Sequence, residues 1–366
     1  MKILIIKFRN IGDVLLSTPL VENLKIHYTD AEIHFALNKG TEAMAAHHPD
    51  IAKLHIYDRE TIRALPPLAR IRQELAFARA IRRERYDMVI NTTEGDRGAQ
   101  LAWISGASVK IGYPPKKNRL LQKVFTHTLP PQGSRHTVEA NLDALRVLGF
   151  SSVSKKVAMH YPDSAGKRVA TLLADAGITP GEYIHFHPVS RWLFKCIDDG
   201  IAARLIDFCQ RELDRRVVLT AAPVAAERKK LDAIKTRCTT EPLDLGGRLT
   251  LEETAALADK ARLFIGVDTA VMHMAAALDT PVLAFFGPSG AFHWGPWDNA
   301  CDESGYHARN GIQQMGRHRV IALNWECIPC GRDGCNGTKI SDCLMQLPES
   351  LIHAQIKTML DNLENI

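Results

Sequence analysis

The sequence predicts an α/β protein of two doubly wound domains in series, and three observations predict it. Short apolar runs of strand length alternate with stretches whose apolar residues recur every three or four positions, the pattern of parallel β/α units. At 366 residues the chain exceeds one comfortable core. The alternation lapses in a less regular stretch from Gly149 through Pro162 and then resumes. The expected division is a first domain over 1–160, a second over 161–347, and a terminal helix over 348–366 that packs back on the first.

The first strand is Lys2–Lys7, with four apolar residues in its centre. Gly12 lets the chain turn after it, and Leu16, Leu20 and Leu24 then recur at helical spacing, so one helix is expected over 14–28. Strands follow at Glu32–Leu37, Leu54–Tyr57, Met88–Thr92 and Val109–Ile111, with helices over 67–84 and 97–105 and near His136–Leu148. The second set reads helix 164–176, strand Tyr183–His187, helix 199–213, strand Arg216–Thr220, helices 224–237 and 251–261, strand Leu263–Val267, helix 270–278 and strand Val282–Phe286. Pro348 to Leu363 is again helical.

Charge is distributed unevenly along the chain. Residues 1–160 hold 24 Lys and Arg against 15 Asp and Glu, or +9, whereas 161–366 hold 22 against 26, or −4. The positive half is therefore expected to face an anionic partner. Arg79 to Arg85 closes an amphipathic stretch and reads as the solvated end of a helix. No apolar run approaches the ~18 residues of a membrane span, and the first strand begins at once, leaving no room for a cleavable signal. A cytoplasmic protein is expected.

Asp13 lies just beyond the first strand, at the sheet edge where open α/β folds bind ligands. Read alone it is a helix-capping residue. In the second domain an apolar strand ends on Asp268-Thr269, and a helix opens on Ala270 with small residues, which suits a phosphate at a helix N-terminus. His273 follows one turn later. The loop after Tyr183–His187 offers the Ser190 hydroxyl and the cations of Arg191 and Lys195 to a diphosphate. Glu227, at the start of the helix after Arg216–Thr220, could accept ribose hydroxyls or simply complement the helix dipole. Neither a Gly-x-Gly-x-x-Gly nor a Walker A pattern follows any expected strand, which argues against a dinucleotide oxidoreductase or a P-loop enzyme. Gly246-Gly247 reads as a turn.

Cys327, Cys330, Cys335 and Cys343 gather four of the eight cysteines in 17 residues. Four thiolates could hold zinc, but the spacing is not that of a common zinc ribbon; a redox-sensitive pair or packed thiols are the alternatives, and no metal is assigned. The other four cysteines are scattered and read as buried hydrophobes.

Gly12-Asp13 with Ser17-Thr18-Pro19, the Arg191-Trp192-Leu193-Phe194-Lys195-Cys196 loop, and Asp268-Thr269-Ala270 with His273, Ala275 and Ala276 together resemble the ADP-heptose:lipopolysaccharide heptosyltransferases. The resemblance spans nearly the whole chain. It implies a GT-B fold, two Rossmann-like domains facing across a cleft, with an ADP-heptose donor held by the second and the lipopolysaccharide inner core by the first. Asp13 aligns with the family's catalytic base, Ser190, Lys195 and the Asp268-Thr269-Ala270 turn with its diphosphate contacts, and His273 with its helix histidine. Ala270 stands where many members have Gly. The Trp-x-Phe-Lys-Cys wording and the cysteine cluster look like the members adding the second or third heptose, the third being the nearer match.

The residues suit inverting transfer on their own terms. Asp13 can take the acceptor's proton, while Lys195, the dipole of the helix from Thr269 and Arg191 meet the charge on departing ADP, so no cofactor or divalent ion is required. Basic candidates for the acceptor are Arg97, Lys116, Lys117, Arg119, Arg135 and His136. Peripheral contact with the inner-membrane face is expected, and nucleic acid is not. A GT-B nucleotide-sugar epimerase is the rival within the fold, but such enzymes usually need more than one acid or base. A metal-binding, nucleic-acid-interaction module is the rival outside it, and no aromatic-interleaved basic groove supports it.

Overall fold

A computed structural model describes residues 1–364. The chain forms two compact units, Met1–His160 and a second beginning at Tyr161. The first contains β1 (Lys2–Lys7), β2 (Glu32–Asn38), β3 (Ile51–Tyr57), β4 (Met88–Asn91), β5 (Val109–Gly112) and β6 (His127–Thr128), ordered β3-β2-β1-β4-β5-β6. Every neighbouring pair is parallel. Ile3 through Ile6 have no exposure, as an unbroken apolar run in a sheet covered on both faces should.

The second unit contains β7 (Tyr183–His187), β8 (Arg216–Leu219), β9 (Leu243–Asp244), β10 (Leu263–Val267), β11 (Val282–Phe285), β12 (Gly311–Met315) and β13 (His318–Ala322). Their order is β12-β13-β11-β10-β7-β8-β9. Each unit winds outward from its first strand and then returns to the other side, so the strand order reverses between β1 and β4 and between β7 and β10. That switch point is where such sheets take ligands.

The helix expected over 14–28 is two helices, Ile11–Leu15 and Thr18–His27. Pro19 has no N–H to continue a helix but fits the first turn of a new one. The Ser17 and Thr18 hydroxyls donate to the carbonyls of Val14 and Leu15 at 2.6 and 2.9 Å, satisfying the last groups of the first helix. Also unforeseen is the antiparallel hairpin β12–β13, turned at Gly316 with φ +52°. A Cβ there would lie 2.2 Å from the Asp298 carboxylate, which accepts the Arg317 N–H.

The terminal helix, Glu349–Glu364, is part of the second unit. It packs on the helix Asp199–Arg211 of the second, where His353 stacks on Phe208 at 3.7 Å and Arg204 and Arg215 pair with Glu349 and Glu364. Its buried Ile352, Ile356, Met359 and Leu360 recur at helical spacing, which gives this attachment its apolar seam. In the first unit the helix Pro67–Arg83 buries only Ile81, leaving Leu68, Ile71 and Leu75 exposed on one stripe, with Arg79, Arg82 and Arg83 in solvent. No described helix is long and apolar enough to cross a membrane.

Candidate active site

In the first unit, β1 delivers the chain to Asn10, which caps the helix Ile11–Leu15, and Asp13 sits in that helix's first turn. Its Oδ2 accepts the Asn10 backbone N–H at 3.2 Å, the reciprocal contact of a capping arrangement. Asp13 is therefore a capping residue, and that bond fixes its carboxylate. Arg9 Nε lies 3.6 Å from Oδ1, and the residue is 6% exposed.

Lys7, the last residue of β1, is the feature that sequence reasoning missed. It is buried, and its Nζ donates to the Thr92 carbonyl at 3.1 Å and to Asn141 Oδ1 at 2.9 Å. Burial lowers its pKa to about 8, against an opposing pull from the Asp13 charge. An ammonium and a carboxylate thus share the carboxyl end of β1. A lysine ending an apolar strand was the available signal.

The expected acceptor cations are divided by the fold. Arg135 forms a forked pair with Asp143 at 2.9 and 2.6 Å, and His136 is buried, its Nδ1 accepting the Val138 N–H as a helix cap. Both serve the architecture of the unit. Arg97 pairs with Glu74 at 3.2 Å and covers the Tyr57 ring at 4.1 Å. Lys116, Lys117 and Arg119 lie exposed on the loop between β5 and β6.

In the second unit three loops follow the carboxyl ends of the adjacent strands β7, β10 and β11. From the β7 loop, Lys195 Nζ reaches Asp268 Oδ2 at 2.5 Å, and from the β11 loop Ser289 Oγ donates to the same oxygen at 2.5 Å. The Lys195 and Asp268 side chains are 16% and 8% exposed, so this pair is largely withdrawn from water. Trp192 packs its ring 5.0 Å from the Lys195 ammonium. Asp268 was expected among the donor contacts; its carboxylate holds Lys195. Ser289 was not singled out, although Gly287-Pro288-Ser289-Gly290 directly after a strand was the sign.

Thr269 caps the helix Ala270–Ala277, its Oγ1 accepting the Met272 N–H at 3.5 Å, so the helix mouth opens beside Asp268. His273 is buried one turn in. Ser190 is buried and its Oγ accepts the Trp192 N–H at 3.3 Å, whereas Arg191 is exposed. Glu227 is 4% exposed and its Oε2 accepts the Ala222 N–H at 2.9 Å, closing the turn after β8; burial raises its pKa. One carboxylate oxygen is thus committed to the backbone. The two-residue strand β9 does lead into Gly246-Gly247, which form a turn closed by the Arg248 N–H donating to the Leu245 carbonyl, with Gly247 at φ +69°.

The family profile of glycosyltransferase family 9 (heptosyltransferase) matches residues 74–318. The lipopolysaccharide heptosyltransferase 3 of Escherichia coli is 34% identical over 291 residues, 79% of this chain and 84% of that one. Among solved structures, a family 9 glycosyl transferase from Veillonella parvula aligns with a TM-score of 0.81 at 20% identity, covering 99% of this chain and 97% of that one. E. coli heptosyltransferase WaaC with ADP aligns at 0.71 and 18%, covering 98% and 100%. These two likenesses are of fold, the pair of doubly wound units called GT-B.

Proposed function

The chain belongs to glycosyltransferase family 9, the heptosyltransferases, and from that premise we propose that it moves a heptose from ADP-L-glycero-D-manno-heptose to the inner core of lipopolysaccharide, as heptosyltransferase III does. The observation that carries the donor half is Lys195, paired with Asp268, whose carboxylate also accepts the Ser289 hydroxyl, beside a helix N-terminus at the β7/β10 switch point. A diphosphate there meets a fixed ammonium, the Thr269–Ala270 amides and the Arg191 cation. Those groups stabilise the charge that builds on ADP as the glycosidic bond breaks. Asp13 takes the proton of the attacking acceptor hydroxyl, and inversion follows from attack opposite the leaving group.

The acceptor half rests on charge. The first unit's net +9 and its exposed Lys116, Lys117 and Arg119 suit a phosphorylated sugar-lipid. Leu68, Ile71 and Leu75, exposed beside Arg79, Arg82 and Arg83, suit peripheral contact with the anionic membrane face that carries this lipid. The test is calorimetric titration with ADP and with UDP, followed by transfer assays on core acceptors truncated at successive heptoses. Preference for ADP, with turnover on an acceptor already bearing two heptoses, is expected. Equal binding of UDP, or turnover only on heptose-free core, overturns the reading.

A further inference from the structure

Along β7 the side chains alternate between the two faces of the sheet, so Tyr183, His185 and His187 share one face. On that face Tyr183 Oη donates to the Leu257 carbonyl at 2.5 Å in the helix Leu251–Asp259, which packs against the helix Ala270–Ala277. His187, the last of the row, therefore stands at the carboxyl edge of the sheet on the face that carries the Thr269 helix mouth. In register it pairs with Gly266 of β10, two residues before Asp268.

Both histidines meet one hydroxyl. Thr220, directly after β8, continues the ladder by donating its N–H to the Phe186 carbonyl at 3.2 Å. Its Oγ1 lies 2.7 Å from His185 Nε2 and 2.8 Å from His187 Nδ1, and all three residues are buried. His185 Nδ1 is sealed in with no hydrogen-bond partner. Buried N–H groups without an acceptor are rarer than bare acceptors, so the His185 proton sits on Nε2 and is donated to the hydroxyl. The hydroxyl has one hydrogen of its own, which goes to His187 Nδ1. Burial keeps His187 neutral, lowering its pKa to about 4, so its single ring proton is on Nε2. That Nε2 has no partner among the described residues and, unlike His185 Nδ1, is not sealed from solvent. The relay ends in an N–H that can donate and cannot accept.

We infer that His187 is a further contact of the nucleotide-sugar donor, its Nε2–H donating to a diphosphate oxygen, and that His185 and Thr220 are positioning residues that fix where that hydrogen lies. Phosphate oxygens only accept, so an N–H locked as a donor suits them, whereas a sugar hydroxyl is served by a ring nitrogen in either state. The inference rests on the proposed donor reading and adds a neutral, directed contact to the cations assigned there.

The test is calorimetry of the full chain with ADP and with pyrophosphate, joined to nitrogen NMR of protein labelled at histidine. His187→Phe keeps a flat ring and removes the N–H; affinity for both ligands should fall roughly tenfold or more. His187→Gln, whose amide can place an N–H near the same point, should recover most of it. Thr220→Val should weaken ADP binding and let His187 populate its other tautomer, and Thr220→Ser should restore both; a merely structural threonine would change stability without moving the tautomer. In the unmodified protein the His187 Nε2 resonance should shift on adding pyrophosphate, a readout that needs no variant to fold. Absence of ADP binding by the unmodified protein overturns the donor reading and this inference with it. ADP bound equally by the unmodified protein and His187→Phe, a His187 protonated on Nδ1, or ADP affinity lost with pyrophosphate affinity kept, overturns this inference alone.

Discussion

The two units repeat one strand order and finish their switch points with opposite chemistry. After β1 the chain needs only a short turn to reach a helix, and its first turn presents Asp13 with Lys7 buried behind it. After β7 it takes the longer loop Pro188–Cys196, and presents Lys195 with Asp268 behind it. Each edge carries one acid and one base, all largely withdrawn from water. The scaffold supplies position and the loop decides whether the edge presents a carboxylate or a cation.

The largest effect that could break this comparison is at Asp13. Asp13→Asn keeps an oxygen for the Asn10 N–H, so the helix start should survive while transfer falls by roughly 10³-fold. Calorimetry should show ADP affinity unchanged; near-normal turnover would mean that the first edge holds a cap and nothing more. Next comes Lys195→Ala, which should weaken ADP binding and turnover together. It also strands a buried carboxylate, so unfolding should become easier by about 3 kcal/mol in denaturant titrations. Combining it with Asp268→Ala should return much of that stability but none of the ADP affinity. If affinity returns, the second edge is not cationic in function.

The third effect concerns Lys7 and has a definite sign. Its folded pKa, about 8, lies below the ordinary 10.5, so between those values the unfolded chain binds the extra proton. Stability relative to Lys7→Met should therefore climb as pH rises through that window, by on the order of 3 kcal/mol. A flat difference would show that Lys7 is charged and well solvated. The smallest effect is Glu227→Gln, whose amide oxygen can still accept the Ala222 N–H; stability should move by less than ~0.5 kcal/mol. A marked loss of ADP affinity in that variant would restore Glu227 to the ribose.

The strands were legible because a sheet covered on both faces demands unbroken apolar runs, and Ile3–Ile6 and Leu263–Val267 supply them. The places of Asp13, Lys195 and the Thr269 helix start in the fold were legible for a related reason: each directly follows such a run or the loop after it. The helix break at Ser17 was written in Pro19 but hidden by leucines that keep their spacing across it. Lys7, Arg135 and His136 could not be placed from sequence, because their roles depend on partners such as Asn141 and Asp143, far away or buried. The hairpin β12–β13 went unread because Gly316-Arg317 is a weaker turn signal than Asn-Gly, and neither strand is strongly apolar.

The bond from Ser289 to Asp268 fixes the carboxylate that holds Lys195. The Asp268 carboxylate engages the lysine, so a lone orthophosphate must compete with it for a single ammonium. A pyrophosphate link bridging the helix mouth and the lysine gains contacts at both ends and can win that competition. Discrimination against small cellular anions would then reside in the carboxylate that holds the lysine.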